Sequence, residues 1–284
     1  MNHFASYEVF RENRKKSEEV RSLENRPHEV LYFHKVDDPY SHLTIQFIDR
    51  FRSSYNIQFK PILVGEENPE TVHEPSLYNI YCLEDVKRIA PYYDVSFLAN
   101  SHPSKDLITK ANRILSGVKD ANFGEVGKKV SSALWSADEA CLEILLKKYS
   151  VSEKDAQQKI KDGNLIRDKK DYYYGSAFYY ENELYWGVDR LHYLERRLSE
   201  LKLGTSNEYT PTCKPRLFAP LTISSSKKFN LTYYTSLNSP YTFVSTKRVR
   251  QLQENFPINL ITCLLYTSDA ADEGLGVDLG GRRI

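Results

Sequence analysis

Apolar and polar positions change period along this chain, and the changes mark its elements. Residues 1 to about 27 are polar with a helical look and stop at the Arg26-Pro27 step, where proline restricts the residue before it. Val30–Phe33 is a short β-branched and aromatic run, which predicts a buried strand. In His42–Tyr55 the apolar residues Leu43, Ile45, Phe47, Ile48 and Phe51 fall at roughly helical spacing. Asp38 stands where an N-cap is expected, with Pro39 at the first helical position. Ile57–Val64 predicts a second strand, so the segment reads as a βαβ unit whose helix N-terminus faces the Lys35–Ser41 loop. Such a helix end suits an anion or a thiolate.

The middle of the chain is expected to be helical. Predicted helices cover Glu84–Ala90, ending at Pro91, then Ser104–Leu115, Ala133–Tyr149 and Ser152–Lys161. A β region follows: Tyr172–Tyr174, a turn at Gly175, Ala177–Tyr180, a tight Glu181-Asn182 turn and Leu184–Trp186. Gly187 breaks the pattern, and Asp189 is expected to cap a last helix, RLHYLERRLSEL. Residues 205–228 shift to Ser, Thr, Pro and Lys and read as a linker.

The βαβ pattern then returns. With an offset of 201 positions and no gap, Tyr32 meets Tyr233, Pro39 meets Pro240, Tyr40 meets Tyr241 and Ile57 meets Ile258. Apolar positions agree as well: Ile48 with Val249, Phe51 with Leu252, Tyr55 with Phe256. A repeat at a domain-sized period indicates a duplicated domain rather than a solenoid. The expected organisation is an N-terminal helical extension (1–27), a first domain (28–204, with a helical insertion at about 81–165), a linker (205–228) and a shortened second copy (229–262). Residues 263–284 do not continue the pattern. They resemble translated adapter or vector sequence, and their Gly274-Leu275-Gly276 run follows no strand, which argues against a dinucleotide loop.

Composition narrows the function classes. The net charge of +1 over 284 residues gives no electrostatic case for nucleic acid or an anionic membrane. No apolar run is long enough to span a bilayer, and the charged N-terminus lacks the core of a secretory signal. Cys82, Cys141, Cys213 and Cys263 are scattered without a C-x-x-C pair, so reduced thiols and a cytoplasmic location are expected. The seven histidines show no metal spacing, and no metal is expected. The 21 tyrosines fit strands as well as a binding surface. The Arg14-Lys15-Lys16 run reads as a solvated helix face.

Three motifs in order resemble the DsbA-like branch of the thioredoxin superfamily, in particular 2-hydroxychromene-2-carboxylate isomerases and kappa-class glutathione transferases. A strand followed by [S/C]-P-Y-[S/A/C] is matched by Asp38-Pro39-Tyr40-Ser41 and again by Ser239-Pro240-Tyr241-Thr242. A D-x-x-R-x-A stretch is matched by Asp85–Ala90. The closing G-E-L-F-W-G-x-D-R-L is matched by Asn182–Leu191. The resemblance implies an α/β, thioredoxin-like fold with an inserted helical domain, followed by the start of a second thioredoxin-like copy. It also implies glutathione as the cofactor and a small-molecule or thiol-peptide substrate. The implied ligand contacts are Pro39, Tyr40, Ser41, Gly175, Ser176, Val188 and Asp189, with Asp38 and Ser239 in the catalytic position.

Departures from the pattern are informative. The residue before the motif proline is Cys or Ser in the family, and a Ser there donates a hydrogen bond to the glutathione sulfur. Asp38 takes that place here, and an ionised carboxylate only accepts. Where the family carries a cis-proline this chain has Ser176, so a trans peptide is expected. The second copy keeps Ser239. Each residue also has a plainer reading. Asp38 is either an acid/base group or a helix cap. Tyr40 either contacts a ligand or packs over the helix start. Ser41 reads as structural, and Gly175 and Ser176 flank a ligand or form an ordinary turn. Asp189 binds a ligand amine, caps a helix, or does both, and Trp186 reads as core. Two functions follow: a glutathione-dependent isomerase or transferase, related to oxidoreductases, with an atypical first domain, or a non-catalytic binding or scaffold module.

Overall fold

A computed structural model describes residues 6–65, 74–206, 208–215, 227–237 and 239–265. The Gly274–Gly276 run and the other residues of 266–284 lie outside the described residues. The chain divides into two compact units, Met1–Pro215 and Arg216–Ile284.

The first unit is mixed α/β. Its elements run α1 (Tyr7–Leu23), β1 (Glu29–His34), α2 (Pro39–Ile45), α3 (Ile48–Ser53), β2 (Gln58–Leu63), α4 (Pro75–Ile89), α5 (Lys105–Gly117), α6 (Phe123–Trp135), α7 (Glu139–Tyr149), α8 (Glu153–Asp168), β3 (Ala177–Tyr180), β4 (Glu183–Trp186) and α9 (Val188–Glu200). The sheet order is β2-β1-β3-β4. β1 runs parallel to β2 and antiparallel to β3, and β3 is antiparallel to β4. This topology is consistent with the thioredoxin-like arrangement that the sequence resemblance implies.

The apolar run of β1 is explained by its central place. Val30 and Tyr32 enter a large core with Leu43, Phe51, Ile114, Leu134 and Leu198. Leu31 and Phe33 point the other way, into a smaller cluster with Ile62, Val64 and Ala177, covered in part by Ile166 of α8. A strand buried on both faces cannot show polar alternation. α8 lies close against β2: a Cβ at Gly163 would stand 1.9 Å from the Leu63 carbonyl oxygen. Gly163→Ala is therefore expected to destabilise the fold by about 1–3 kcal/mol, as overpacking does. Urea denaturation of the variant checks this.

Several expected elements differ. The predicted helix from His42 to Tyr55 is two helices, broken at Gln46–Phe47, where Phe47 N–H turns back to the Thr44 carbonyl. The predicted helix Ala133–Tyr149 is also two, separated by Ser136–Asp138, with Ala137 at positive φ and Asp138 capping α7 through Cys141 N–H. Tyr172–Tyr174 is not a strand but a loop of mutually packed rings. Asp189 does not cap α9: Gly187, at φ +76°, is the cap residue, and Asp189 sits exposed in the first turn beside Arg190. The hairpin turn Glu181-Asn182 is as predicted, with both residues at positive φ, the form that matches strand twist.

The start of the expected linker belongs structurally with the first unit. Gly204 bridges to Tyr55, and Thr205 N–H bonds the Ser54 carbonyl. Thr212 and Cys213 are buried, and the Glu195 carboxylate accepts from both the backbone N–H and the hydroxyl of Thr212. Burial outweighs those bonds and raises the Glu195 carboxyl above its ordinary range.

The N-terminal helix docks along the hairpin edge. Arg14 forms a two-point ion pair with Glu183 at 2.8 Å for each bond. It is therefore part of the packing, not only the solvated face its basic run suggested. Covering an edge strand also protects it from pairing with another chain.

The second unit is β5 (Phe229–Thr235), α10 (Pro240–Asn255) and β6 (Ile258–Leu264), with the strands parallel. Tyr32 pairs with Pro61, and Tyr233 pairs with Thr262, its counterpart at the same offset. β6 continues through Cys263 and Leu264, which pair with Tyr234 and Thr235, beyond the boundary expected at residue 262. No residue of α10 is buried.

Candidate functional site

The βαβ crossover and the loop before β3 meet at the start of α2. Asp38 has extended backbone and caps the helix. Its Oδ1 accepts from Tyr40 N–H at 3.1 Å, and its Oδ2 accepts from Ser41 N–H at 2.9 Å and from the Ser41 hydroxyl at 2.7 Å. Pro39 supplies the first helical position and offers no N–H. The helix end that was expected to receive an anion is thus taken up by the chain's own carboxylate. α2 is also short, at seven residues.

The loop from Tyr172 to Ser176 closes over this cap. A side chain at Gly175 would come within 3.1 Å of both Asp38 Oδ2 and Ser41 Oγ, which accounts for glycine there. Ser176 has φ +54°, and no cis peptide bond occurs among the described residues. Its hydroxyl is turned into the fold. It is buried and shares a 2.6 Å hydrogen bond with Thr44 Oγ1, while its carbonyl accepts from Gly187 N–H. Ser41 is likewise fully buried. Val188 is buried at the first position of α9.

Tyr40 is half-buried, and its hydroxyl donates to Asp85 Oδ2 at 2.8 Å. Burial and then that acidic partner raise its phenol well above the ordinary range, so it stays protonated. The Asp85-x-x-Arg88 stretch therefore acts here through Asp85 holding Tyr40. Trp186, expected in the core, is 38% exposed, with Tyr40 packed edge-on at 5.5 Å and Tyr174 stacked at 5.4 Å. Tyr174 stacks in turn on Tyr78 of α4 at 5.3 Å. The result is a row of four rings, Tyr40, Trp186, Tyr174 and Tyr78, beside the capped helix.

Tyr78, Tyr174 and Cys82 were missed from the sequence. Cys82 is buried on α4, one helical turn from Tyr78. The triple tyrosine at 172–174 was the available signal, and it was assigned to a strand. The fully buried Tyr32 and His34 beneath the loop were also not singled out.

In the second unit Ser239 precedes α10 as its cap residue, and its side chain makes no cap bond. Tyr241 is 80% exposed. The described residues hold no group of three or more His, Cys, Asp or Glu placed to bind a metal ion. No helix among them is long and apolar enough to cross a membrane.

No family model matches the chain, and no curated protein does. Solved structures do match, among them 2-hydroxychromene-2-carboxylate isomerase. That match has 15% sequence identity and a TM-score of 0.44, and it covers 61% of this chain and 96% of the other. A likeness at that level bears on neither activity nor ligand.

The fit of a glutathione thiolate can be judged from the residues themselves. A thiolate needs donors, and the helix-start donors point at Asp38. A sulfur anion placed there would meet a carboxylate, so the first unit's site does not suit it.

Proposed function

We propose that the chain is a DsbA-like thioredoxin-fold protein of the glutathione-dependent isomerase and transferase type, whose first unit binds a ligand without activating a thiol. In this reading α4–α8 are the inserted helical domain, and β5–α10–β6 begins a second copy. The motif order and the shared register of the two βαβ segments support the assignment. One observation carries the functional part: the Asp38 carboxylate takes the N–H groups of Tyr40 and Ser41 and the Ser41 hydroxyl. The neighbouring ring row is the binding surface that remains, and a cytoplasmic location fits four scattered cysteines with no C-x-x-C pair.

Calorimetric titration of glutathione into the full chain tests this. The first unit's site is expected to give no saturable heat, and Asp38→Ser is expected to create binding, because it removes the opposing charge and adds a donor. Binding by the unaltered chain that Asp189→Ala abolishes would overturn the reading.

A second reading rests on Ser239, whose hydroxyl is not used as a cap. Glutathione chemistry then belongs to the second copy. Binding that survives Asp38→Ala and disappears in Ser239→Ala would favour it.

A further inference from the structure

A cavity of about 970 Å³ opens to solvent between α5, the end of α6 and the loop at residues 96–104, and its size falls within the range of small-molecule sites. The break at Ser136–Asp138 helps to form it. With Ala137 at positive φ the chain turns away after Trp135, the last residue of α6, so no further helical turn covers the indole on that side. Trp135 instead becomes part of the cavity wall. Three rings meet it at steep angles: Phe97 at 5.1 Å, His102 at 5.6 Å and His42 at 6.3 Å.

Trp135 is 8% exposed, yet its Nε1–H finds no acceptor among the described residues. An indole nitrogen only donates. A buried donor left without an acceptor costs the fold the full desolvation of that group, and such donors are rare in native proteins. The wall of this cavity therefore offers a hydrogen bond that the chain itself does not use.

The other lining residues narrow the occupant. Phe97, Leu98, Leu107 and Leu134 present apolar surface, and Leu98 stands 84% exposed. A flat apolar body would take that surface out of water and pack against the rings. Charge is the second constraint. Neither lysine nor arginine is among the described lining residues. His42 shares a 2.8 Å hydrogen bond with Ser131 Oγ, and burial pushes it down to about 4, so it is neutral. His102 Nε2 already donates to the Asn79 carbonyl at 3.1 Å. Glu139 is the one acid in the wall, exposed in the first turn of α7, where the positive helix end offsets its charge. An anion entering here would lose hydration without gaining a cation.

We propose that this cavity is a second ligand site, which takes a small uncharged aromatic molecule carrying a carbonyl-type acceptor for the Trp135 indole N–H. The proposal goes beyond the reading of Asp38 and does not depend on it. Glutathione, with its carboxylates, is not an occupant of this cavity.

The test is a titration of benzamide into the full chain, read from the indole N–H resonances. Trp135 and Trp186 are the only tryptophans in the sequence, so Trp186→Phe assigns the pair. The Trp135 resonance is expected to move downfield and saturate, with a dissociation constant on the order of 1 mM for a ligand of about nine non-hydrogen atoms. Benzoate, the same ring bearing a charge, is expected to bind about tenfold more weakly or not at all. Ser132 is exposed and lines the cavity, so Ser132→Phe should fill it and abolish the shift. A Trp135 resonance that benzamide leaves in place would overturn the proposal, as an N–H already satisfied by a neighbouring ring face would behave that way. Benzoate binding as tightly as benzamide would overturn it too, and that arm needs no variant. So would a shift that survives Ser132→Phe, or one confined to Trp186, which would put the ligand on the ring row instead.

Discussion

Lowering the pH from about 6.5 to about 5 is expected to cost the first unit about 3 kcal/mol of folding stability, because each of two buried histidines contributes a slope that approaches about 1.4 kcal/mol per pH unit below the unfolded value. Burial, and then the nearby His42, push His34 down from 6.5 to about 3. Burial pushes His42 down to about 4, with Ser96 and Ser131 partly offsetting it. Both folded values lie below the unfolded one, so between them the unfolded chain binds more protons. Stability is fully present above about pH 6.5 and drains away as the pH falls toward the folded values. Urea denaturation followed by tryptophan fluorescence reads this unit, because Trp135 and Trp186 are the only tryptophans in the sequence. His34→Gln is expected to halve the slope. A stability that stays flat across this range would mean that the imidazoles reach water.

The second large effect is expected at Arg197. Its guanidinium is buried, with Nη1 donating to the carbonyls of Tyr180 at 3.1 Å and Glu181 at 3.3 Å. It pairs with Glu183 at 3.2 Å and Glu18 at 3.4 Å, and lies 4.7 Å from the Tyr180 ring. Arg197→Met leaves two carbonyls and two partly buried carboxylates short of a donor. The expected loss is about 3–5 kcal/mol, the cost of breaking a buried pair from one side. Burial alone would raise Glu183, but Arg14, Tyr185 and Arg197 outweigh it and hold the carboxyl below its ordinary range. Glu183 should therefore titrate higher in the variant. Arg14→Ala should cost less, because Arg14 is more exposed and Arg197 still serves Glu183. Equal losses in the two variants, by urea denaturation, would place the anchor of α1 elsewhere.

Local signals in the sequence were enough for most elements but not for their breaks or their side-chain roles. Val30–Phe33, Ala177–Tyr180 and the Glu181-Asn182 turn were legible because strand runs and tight turns depend on neighbouring residues. Asp38-Pro39 was legible as a helix start for the same reason. The breaks at Gln46–Phe47 and Ser136–Asp138 were not, since neither carries a proline or glycine to mark it. The apolar spacing continues through both.

The candidate site shows the same limit. The pattern put Asp38, Tyr40, Ser41 and Gly175 in one candidate site, and in the structure Gly175 lies against Asp38 and Ser41 while Tyr40 N–H bonds Asp38. It could not show that the Ser176 hydroxyl is spent on Thr44, or that Trp186 faces outward among tyrosines. Those outcomes depend on contacts between residues far apart in the chain. The capping role expected of Asp189 was misjudged because Gly187, with its left-handed φ, already supplies the cap position. The first part of the expected linker was misread because its composition is loop-like, whereas a single buried carboxylate, Glu195, fixes Thr212.

The most direct test of the central claim is the amide spectrum of Tyr40 and Ser41 in the full chain as glutathione is added in excess. With Asp38 holding both N–H groups, neither resonance is expected to move. A saturable shift of both would show that a thiolate displaces the carboxylate, and the first unit would then be a working glutathione site.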